Sequence, residues 1–323
     1  MNEIFNSKLI FGKYQIKKLI KKTLHSKIYL GINIKDKNNY AIKIEDKTIP
    51  TASLKEEALI LYLLKGPGLP KVISFGHVGK YNILVENLLG KSISDIWLER
   101  KKKFNLKDLC MFAFQGLERI EYVHSKNYLH RDIKPGNFLM GKNLESKKLY
   151  IIDFGLSKKY IDKNTGKHII YKEGKGLTGT ARYVSLNTHY GIDQSRRDDI
   201  EGIAYNLIFF ALGKLPWQGV KTKNKKEKHK KIMELKYEYN PDKLCEGLPE
   251  EFPTLLKYAR KLDFEEKPDY KNIKIMFKQL ILSNKQQIDW KFDWDVRDKD
   301  KYIDNTTKES DADNKNNMNN KNK

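Results

Sequence analysis

Two short polar runs contain the residues of this 323-residue chain whose types and spacing could do chemistry. The first, at 130–137, reads H-R-D-I-K-P-G-N and places an acid (Asp132), a lysine (Lys134) and an amide (Asn137) on one loop. The second, D-F-G, begins at Asp153, sixteen residues after Asn137, behind the apolar run L-Y-I-I. Two carboxylates, an amide and a cation can orient a hydroxyl group, hold Mg²⁺ and offset the charge of a moving phosphate. The two runs therefore indicate phosphoryl transfer.

A lysine and a glutamate upstream complete this set of groups. Lys43 lies in the alternating run Y-A-I-K-I, which predicts a β-strand that points the lysine into a cleft. A helix is predicted downstream, with an apolar stripe of Leu54, Ala58, Leu61, Tyr62 and Leu64. Of its two acids we prefer Glu57 as the partner of Lys43, because Glu56 reads more naturally as a solvated helix acid. A lysine, a glutamate, H-R-D-x-x-x-x-N and D-F-G in this order form the protein-kinase signature.

Composition predicts a soluble protein that is long enough for one large domain or two lobes. The two cysteines, Cys110 and Cys245, cannot form a disulfide framework, which favours a reducing compartment. The first residues lack the plan of a signal peptide, and no apolar run approaches the roughly 18 residues of a membrane span. We therefore expect a cytoplasmic or nuclear location, or both, with no membrane partner.

The formal net charge of +22 suggests nucleic acid or another polyanion as a partner. Lysine is mixed with asparagine, isoleucine and tyrosine, all specified by AT-rich codons, so codon bias is an alternative of similar weight. Residues 221–231 contain seven lysines, which are expected to form a solvated loop or helix face. This run, like R-K-K-K at 100–103, could also be a nuclear-import signal.

Short β-prone runs predict a strand-rich first part of the chain. They lie at 14–16, 28–30, 40–44, 72–75 and 82–85. The run K-G-P-G at 65–68 is expected to end the intervening helix. The run L-L-G at 88–90 is the expected hinge to a second part.

From residue 90 onward the pattern becomes helical. Asn105 can cap a helix, and the apolar spacing from Ile200 to Ala211 predicts a second, buried one. The C-terminal residues contain almost no apolar side chains and cannot repay the cost of ordering. The predicted organisation is a first lobe at 9–87, a second lobe at 88–300 and a disordered Lys/Asn-rich tail at 301–323.

Several segments around and after D-F-G carry a closer resemblance. They are L-T-G-T-A-R-Y at 177–183, N-T-H at 187–189, Q-S-R-R-D-D at 194–199, Y-V-H-S-K-N at 122–127 and L-P-W-Q-G at 215–219. Together they resemble the casein kinase 1 family of protein serine/threonine kinases. Most protein kinases have Ala-Pro-Glu after the activation segment, whereas this family has Ser-Ile-Asn and this chain has S-L-N at 185–187. The resemblance runs from about Tyr14 to about Trp294.

The resemblance implies an α+β fold, the bilobal protein-kinase fold, with a small antiparallel-sheet N-lobe containing one helix and a larger, mainly helical C-lobe. ATP and Mg²⁺ would bind in the cleft, and Ser/Thr near acidic or phospho-primed residues of other proteins would be the acceptors. Asp132 would orient the acceptor hydroxyl as the catalytic base, and Lys134 would steady the transferred phosphate. Asn137 and Asp153 would hold the metal. The chain is expected to be a monomer.

The resemblance also implies the remaining binding residues. Lys43 with Glu57 would grip the α- and β-phosphates, and the nucleotide pocket would further include Ile20, Ile28, Ala41, Leu88, Leu89 and Leu139. The site for an acidic or phosphorylated substrate group would use Arg182 and Lys228 with Lys175, because arginine offers a planar fork and lysine a compact charge to phosphate. Asp199 would brace the catalytic loop.

The glycine-rich loop is the first departure from the family pattern. In kinases G-x-G-x-x-G lets backbone N–H groups close on the phosphates. Lys21, Thr23 and Ser26 replace all three glycines here. The loop must either stand further from ATP or use lysine charge in place of close backbone contact.

Glu86 is the second departure. Aligning L-L-G at 88–90 with the family's hinge puts Glu86 where a bulky apolar gatekeeper usually stands. A buried carboxylate is costly unless paired, and Lys43 is its nearest partner, in competition with Glu57. A one-residue shift would instead put Glu86 at the first hinge position, with Asn87 as an insertion, and the sequence leaves both alternatives open.

The leading hypothesis is an active kinase, because the residues for metal and phosphate chemistry are all present. The alternative from another class is a pseudokinase that serves as a binding scaffold and holds ATP weakly or not at all, which the altered loop and Glu86 favour. A third hypothesis, nucleic-acid binding through the basic surface, requires aromatic platforms or a known motif. The sequence contains neither, so no specific nucleic-acid partner is expected.

Overall fold

The computed structural model describes residues 9–23 and 26–294, and the predicted tail at 301–323 lies outside them. The first part of the chain forms a five-stranded antiparallel sheet in the order β1-β2-β3-β5-β4. Its strands are β1 (Tyr14–Lys22), β2 (Ser26–Asn33), β3 (Asn39–Asp46), β4 (Val72–Val78) and β5 (Tyr81–Asn87). The last strand is longer than predicted, because it continues past Val85 through Glu86 and Asn87.

The two faces of the sheet carry different kinds of side chain, because side chains alternate along each strand. Ile42 and Ile44 of β3 and Ile83 and Val85 of β5 face one side, where they form a small apolar core. The intervening residue Lys43 therefore points to the opposite face. That face borders the large core of the rest of the molecule and carries the site described below.

Helix α1 (Leu54–Leu64) packs against β4 and β5 and is the one helix of this lobe within the described residues. Most of its predicted stripe is buried, but Tyr62 is 56% exposed and Ile60 is buried in its place. The prediction for Tyr62 was wrong because it lies one residue past Leu61, about 100° around the helix. The helix ends as predicted, at Lys65, which adopts a left-handed conformation.

The second part of the chain is mainly helical. Its longer helices are α2 (Ile93–Glu99), α3 (Leu106–Ser125), α5 (Arg196–Leu212), α6 (Lys225–Glu238), α8 (Glu251–Lys261) and α9 (Tyr270–Ser283), with short helices α4 (Leu186–His189) and α7 (Pro241–Leu244). The side chain of Asn105 caps α3 as predicted, and the predicted buried helix is α5, which packs against α3 and α8. The lysine run continues into α6. No helix within the described residues is long and apolar enough to cross a membrane.

Two short antiparallel pairs support the polar runs. Strand β6 (Tyr128–Leu129) pairs with β9 (Lys158–Lys159), and β7 (Phe138–Met140) pairs with β8 (Leu149–Ile151). The H-R-D run lies between β6 and β7 and ends in a 3₁₀ turn, and a second 3₁₀ turn (Asn143–Glu145) lies between β7 and β8. D-F-G follows β8 after one intervening residue, Ile152. The structure confirms the α+β class and the arrangement of a five-stranded lobe beside a helical one.

Candidate active site

Lys43 is the centre of an ion-pair group where the two lobes meet. Its Nζ atom lies 2.6 Å from Glu57 Oε2 on α1 and 3.3 Å from Asp153 Oδ1 of D-F-G. Burial alone would lower the pKa of Lys43, but the carboxylates of Glu57 and Asp153 raise it well above its usual value. The lysine is therefore a fixed positive charge, aimed as a phosphate-binding lysine requires. Glu56 is not part of this group.

The D-F-G run packs tightly against α1 and the H-R-D run. The backbone N–H of Phe154 donates to Glu57, and the Phe154 ring is buried edge-on against His130, with ring centroids 5.0 Å apart. A Cβ atom on Gly155 would lie 2.8 Å from Ser53 Oγ, so D-F-G passes close to the start of α1. Asp153 itself has a φ of 71°, a conformation that a non-glycine residue holds only under constraint.

Asp132 organises the catalytic loop. Its Oδ2 atom accepts a hydrogen bond from the Lys134 ammonium, and its Oδ1 atom accepts one from Thr180 Oγ1 at 2.7 Å. Asn137 Nδ2 donates to the Asp132 backbone carbonyl at 2.9 Å. These bonds fix Asp132, Lys134 and Asn137 relative to one another. Thr180 ties the activation segment, residues 153–184, to them.

Asp199 fixes the backbone of this loop through hydrogen bonds. Its carboxylate accepts from the His130 and Arg131 backbone N–H groups at 2.8 and 2.9 Å and from His124 Nε2 at 2.8 Å. Burial favours a higher pKa for Asp199, but these hydrogen bonds hold it below its usual value. Burial lowers the pKa of His124, so its neutral ring donates from Nε2 and accepts from Tyr270 at Nδ1. The predicted bracing contact is present.

Asn137 and Asp153 are the candidate residues for holding a divalent cation. Within residues 9–23 and 26–294 no group of three or more His, Cys, Asp or Glu side chains is arranged to hold a metal. This fits Mg²⁺, which is usually bound by one or two carboxylates together with substrate phosphates. Asn137 uses its amide nitrogen as a donor, which leaves its side-chain oxygen for a cation. The Ile152 N–H bonds to the Asn137 carbonyl at 2.9 Å and so links the two polar runs.

Glu86 lies within β5, directly opposite Ala41 of β3, while Leu84 lies opposite Lys43. Directly opposed residues of an antiparallel pair point to the same face, so the side chain of Glu86 shares the Lys43 face. This is the gatekeeper alternative, and the first-hinge alternative is wrong. Lys43 bonds to Glu57 and Asp153, whereas Glu86 Oε1 is buried with no hydrogen-bond partner among the described residues.

Burial and the nearby carboxylate of Glu57 raise the pKa of Glu86 from 4.5 to about 8. An acid with a raised folded-state pKa contributes stability that is fully present below the unfolded-state value and is lost as the pH rises through the folded-state value. Glu86→Gln, which cannot ionise, should therefore gain stability relative to the native protein between pH 4.5 and about 8, and the difference should then level off. The gain should not exceed about 1.4 kcal/mol per pH unit.

Denaturant unfolding of both proteins at a series of pH values measures this difference. Glu56→Gln on the exposed side of α1 is the matched control, because it makes the same chemical change on the same lobe outside the buried Lys43 group. A Glu86→Gln difference that stays constant from pH 4.5 to pH 8 would contradict a neutral buried carboxyl group.

The other predicted nucleotide residues lie around the same face. Ile28 of β2 is opposite Lys43 of β3. Ala41 lies two residues before Lys43 on β3 and so points to the same face. Leu139 lies half-buried on β7, at the other side of the cleft. Leu88 and Leu89 follow β5, after which the Gly90 N–H bonds to Met140. Ile20 is 48% exposed at a bulge of β1.

Thr23 and Ser26, in place of two glycines of the glycine-rich loop, bond to each other. Thr23 N–H donates to the Ser26 carbonyl at 2.9 Å, and Ser26 N–H donates to Thr23 Oγ1 at 3.0 Å. Both hydroxyl groups also lie 2.9 Å apart. These two amides are therefore engaged within the loop and do not point freely at a ligand.

The anion site of Arg182, Lys228 and Lys175 stays a prediction. Lys175 lines a cavity of about 510 Å³ together with Arg131 and Lys158, but neither Arg182 nor Lys228 lines it. The Arg182 guanidinium lies over the Tyr183 ring, 5.7 Å from its centroid. Lys228 lies on the exposed first turns of α6.

The cavity therefore combines cations that the sequence analysis did not connect. Arg131 comes from the catalytic loop, Lys158 from β9 and Lys175 from the activation segment. Asp193 forms a 2.7 Å ion pair with Lys158, which leaves a net positive lining. Only the arginine of H-R-D stands in a motif that could have drawn attention to it.

Lys236 of α6 is a further residue that sequence reasoning missed. It is fully buried, and its ammonium donates to the carbonyl groups of Ala181 and Val184, next to the activation segment. Burial lowers its pKa to about 7. One lysine among several on this helix offers no sequence signal for such a position.

Comparison with family models agrees with this geometry. The model described as the protein kinase domain matches residues 14–277, which spans the sheet, the cleft residues and the helices up to α9. The matched region contains the ion pair of Lys43 with Glu57, the H-R-D loop and D-F-G. The chain therefore belongs to the protein kinase family.

Proposed function

We propose that this chain is an ATP-dependent protein serine/threonine kinase of casein kinase 1 type that acts with Mg²⁺. The observation that carries the proposal is the assembly of both halves of the site. Lys43 bonds at once to Glu57 and Asp153, while Asp132 is fixed beside Lys134 in the cleft.

The proposed roles follow from the chemistry of each group. Asp132 is held in place by donors on both carboxylate oxygens and accepts the hydroxyl proton of the acceptor. Lys134 and Lys43 stabilise charge on the phosphates, which is where most of the catalysis of phosphoryl transfer originates. Asn137 and Asp153 would hold Mg²⁺, which shields the phosphate oxygens.

The cavity lined by Arg131, Lys158 and Lys175 supports acidic or phospho-primed proteins as substrates. It lies between the catalytic loop and the activation segment, close to where an acceptor must approach Asp132. Charge-assisted hydrogen bonds from arginine and lysine to phosphate are about twice as strong as neutral ones. The predicted anion site of Arg182 and Lys228 with Lys175 stays part of the proposal.

Paired peptides test the acceptor class. We expect transfer to Ser and Thr but not Tyr, and a lower KM when a phosphoserine lies nearby. Lys175→Ala should raise the KM for the primed peptide by about tenfold, the effect of one charge-assisted hydrogen bond, and leave an unprimed peptide unchanged. Lys172→Ala, an exposed lysine of the same segment outside the cavity, is the matched control. Equal use of primed and unprimed peptides by the native protein would overturn this preference.

The alternative is a pseudokinase scaffold, and the closed Thr23–Ser26 turn favours it, because two amides of the nucleotide loop are engaged. The scaffold hypothesis predicts no change in melting temperature with ATP and Mg²⁺, whereas the kinase hypothesis predicts a clear rise.

We also propose that the protein is a monomer located in the cytoplasm, the nucleus or both. Its proposed partners are protein substrates, with no specific nucleic acid or membrane.

A further inference from the structure

Lys21 stands in a row of side chains that crosses the sheet on the cleft face. It lies opposite Ile28 of β2, and Ile28 lies opposite Lys43 of β3. Directly opposed residues point to the same face, so Lys21 and Lys43 both point into the cleft. A bulge between Leu19 and Lys21 sets this register, as bulges near active sites often re-aim a side chain.

The Lys21 side chain extends to the catalytic loop of the other lobe. Its Nζ atom lies 3.8 Å from the position that a Cβ atom on Gly136 would occupy. Gly136 is the middle residue of the 3₁₀ turn Pro135–Asn137, so this ammonium lies above the turn that carries the metal-binding amide. No carboxylate among the described residues forms an ion pair with Lys21. The charge therefore faces the space where phosphates would lie.

Among the described residues of the loop beyond Lys21, two backbone amides are already engaged and do not face a phosphate. The backbone amide of Thr23 donates to the Ser26 carbonyl, and the backbone amide of Ser26 donates to the Thr23 hydroxyl oxygen. In a glycine-rich loop such amides are the groups that close on the phosphates. A cation reaching over the cleft supplies the missing positive potential, and a flexible side chain can do so without a close approach of the backbone.

From these contacts we propose that Lys21 binds the phosphate chain of ATP in place of the backbone amides of a glycine-rich loop. The inference rests on the proposed kinase function and goes beyond it by adding a binding residue that glycine occupies in the usual pattern. Lys43 on β3 contacts the phosphates from one side, and Lys21 on β1 contacts them from another strand of the same face. The ligand class is the polyphosphate of a nucleoside triphosphate.

Calorimetric titration with ATP, ADP and adenosine in the presence of Mg²⁺ tests the assignment. Lys21→Ala should weaken ATP binding by about tenfold to a hundredfold, the effect of losing one charge-assisted hydrogen bond, and should leave adenosine binding unchanged. Lys21→Arg should restore most of the affinity. Lys22→Ala is the matched control, because the adjacent residue of the strand points to the opposite face and should bind ATP like the native protein.

The possible results separate this inference from the proposed function. If the native protein binds ATP and transfers phosphate while Lys21→Ala binds ATP equally well, the inference is wrong and the kinase stands. Equal loss of adenosine and ATP affinity would also overturn it, because the pocket rather than the phosphates would be affected. A change confined to the KM of a primed peptide would place Lys21 on the protein substrate instead. A native protein that binds no ATP would overturn both.

Discussion

Replacing Asp132 by asparagine is expected to reduce phosphate transfer by about 10²–10⁴-fold, the usual contribution of a positioned general base. Asparagine has nearly the same shape, so Thr180 can still donate to its oxygen, but the negative charge beside Lys134 is lost. The proton of the acceptor hydroxyl then has no carboxylate to receive it. Steady-state transfer rates at saturating ATP and peptide measure the effect.

The same variant should keep its fold and its nucleotide affinity. Asp132 does not contact Lys43 or Glu57, so ATP should raise the melting temperature of the variant as it does that of the native protein. Asp162→Asn, in an exposed turn outside the cleft, is the control for a loss of one carboxylate and should transfer phosphate normally. A transfer rate within threefold of the native rate in Asp132→Asn would contradict its role.

Replacing Asp199 by alanine is expected to lower the free energy of unfolding by about 3–5 kcal/mol. The carboxylate is 2% exposed and accepts from two backbone N–H groups and from His124. Alanine would leave three buried donors without partners, and each costs about 1–3 kcal/mol. Denaturant unfolding with a fixed m-value measures the loss.

Transfer should fall together with stability in this variant, because the His130 and Arg131 amides orient the loop that carries Asp132. Asp162→Ala is the control here, since this change in an exposed turn should lower the free energy of unfolding by no more than about 1 kcal/mol. A loss below about 1 kcal/mol in Asp199→Ala would show that water or another group satisfies the buried donors.

The contacts of Asp132 with Asn137 and of Lys43 with Glu57 were predictable because each is local in sequence. Asn137 bonds to Asp132 only five residues away, and the H-R-D-x-x-x-x-N spacing encodes that contact directly. The pairing of Lys43 with Glu57 is also short-range, since a strand and the next helix carry them. Contacts of this kind can be inferred from the sequence because they depend on the placement of few other elements.

Contacts between distant segments were not predictable in the same way. The end of β5 was placed too early because Glu86 and Asn87 are polar, yet they continue the ladder opposite Ala41 and Tyr40. The cavity beside the catalytic loop gathers cations from three segments, and nothing in the local sequence joins them. The reach of Lys21 across the cleft depends on a bulge and on how the two lobes meet.

The altered nucleotide loop is the feature on which the kinase and scaffold hypotheses divide. The retained residues provide metal and acceptor chemistry, whereas glycine-loop amides position ATP. Lys21 offers a replacement for those amides, and a neutral Glu86 leaves Lys43 to its ion pair with Glu57. Both departures from the family pattern are thus compatible with catalysis.

The most direct test is transfer of labelled phosphate from ATP with Mg²⁺ to casein or to an acidic, phospho-primed peptide. Asp132→Asn is run beside the native protein as the blank, and the melting temperature of each is recorded with and without ATP. We predict incorporation by the native protein that disappears in the blank, with stabilisation of both by ATP. No transfer from a well-folded native protein that ATP fails to stabilise would contradict the kinase and leave the scaffold.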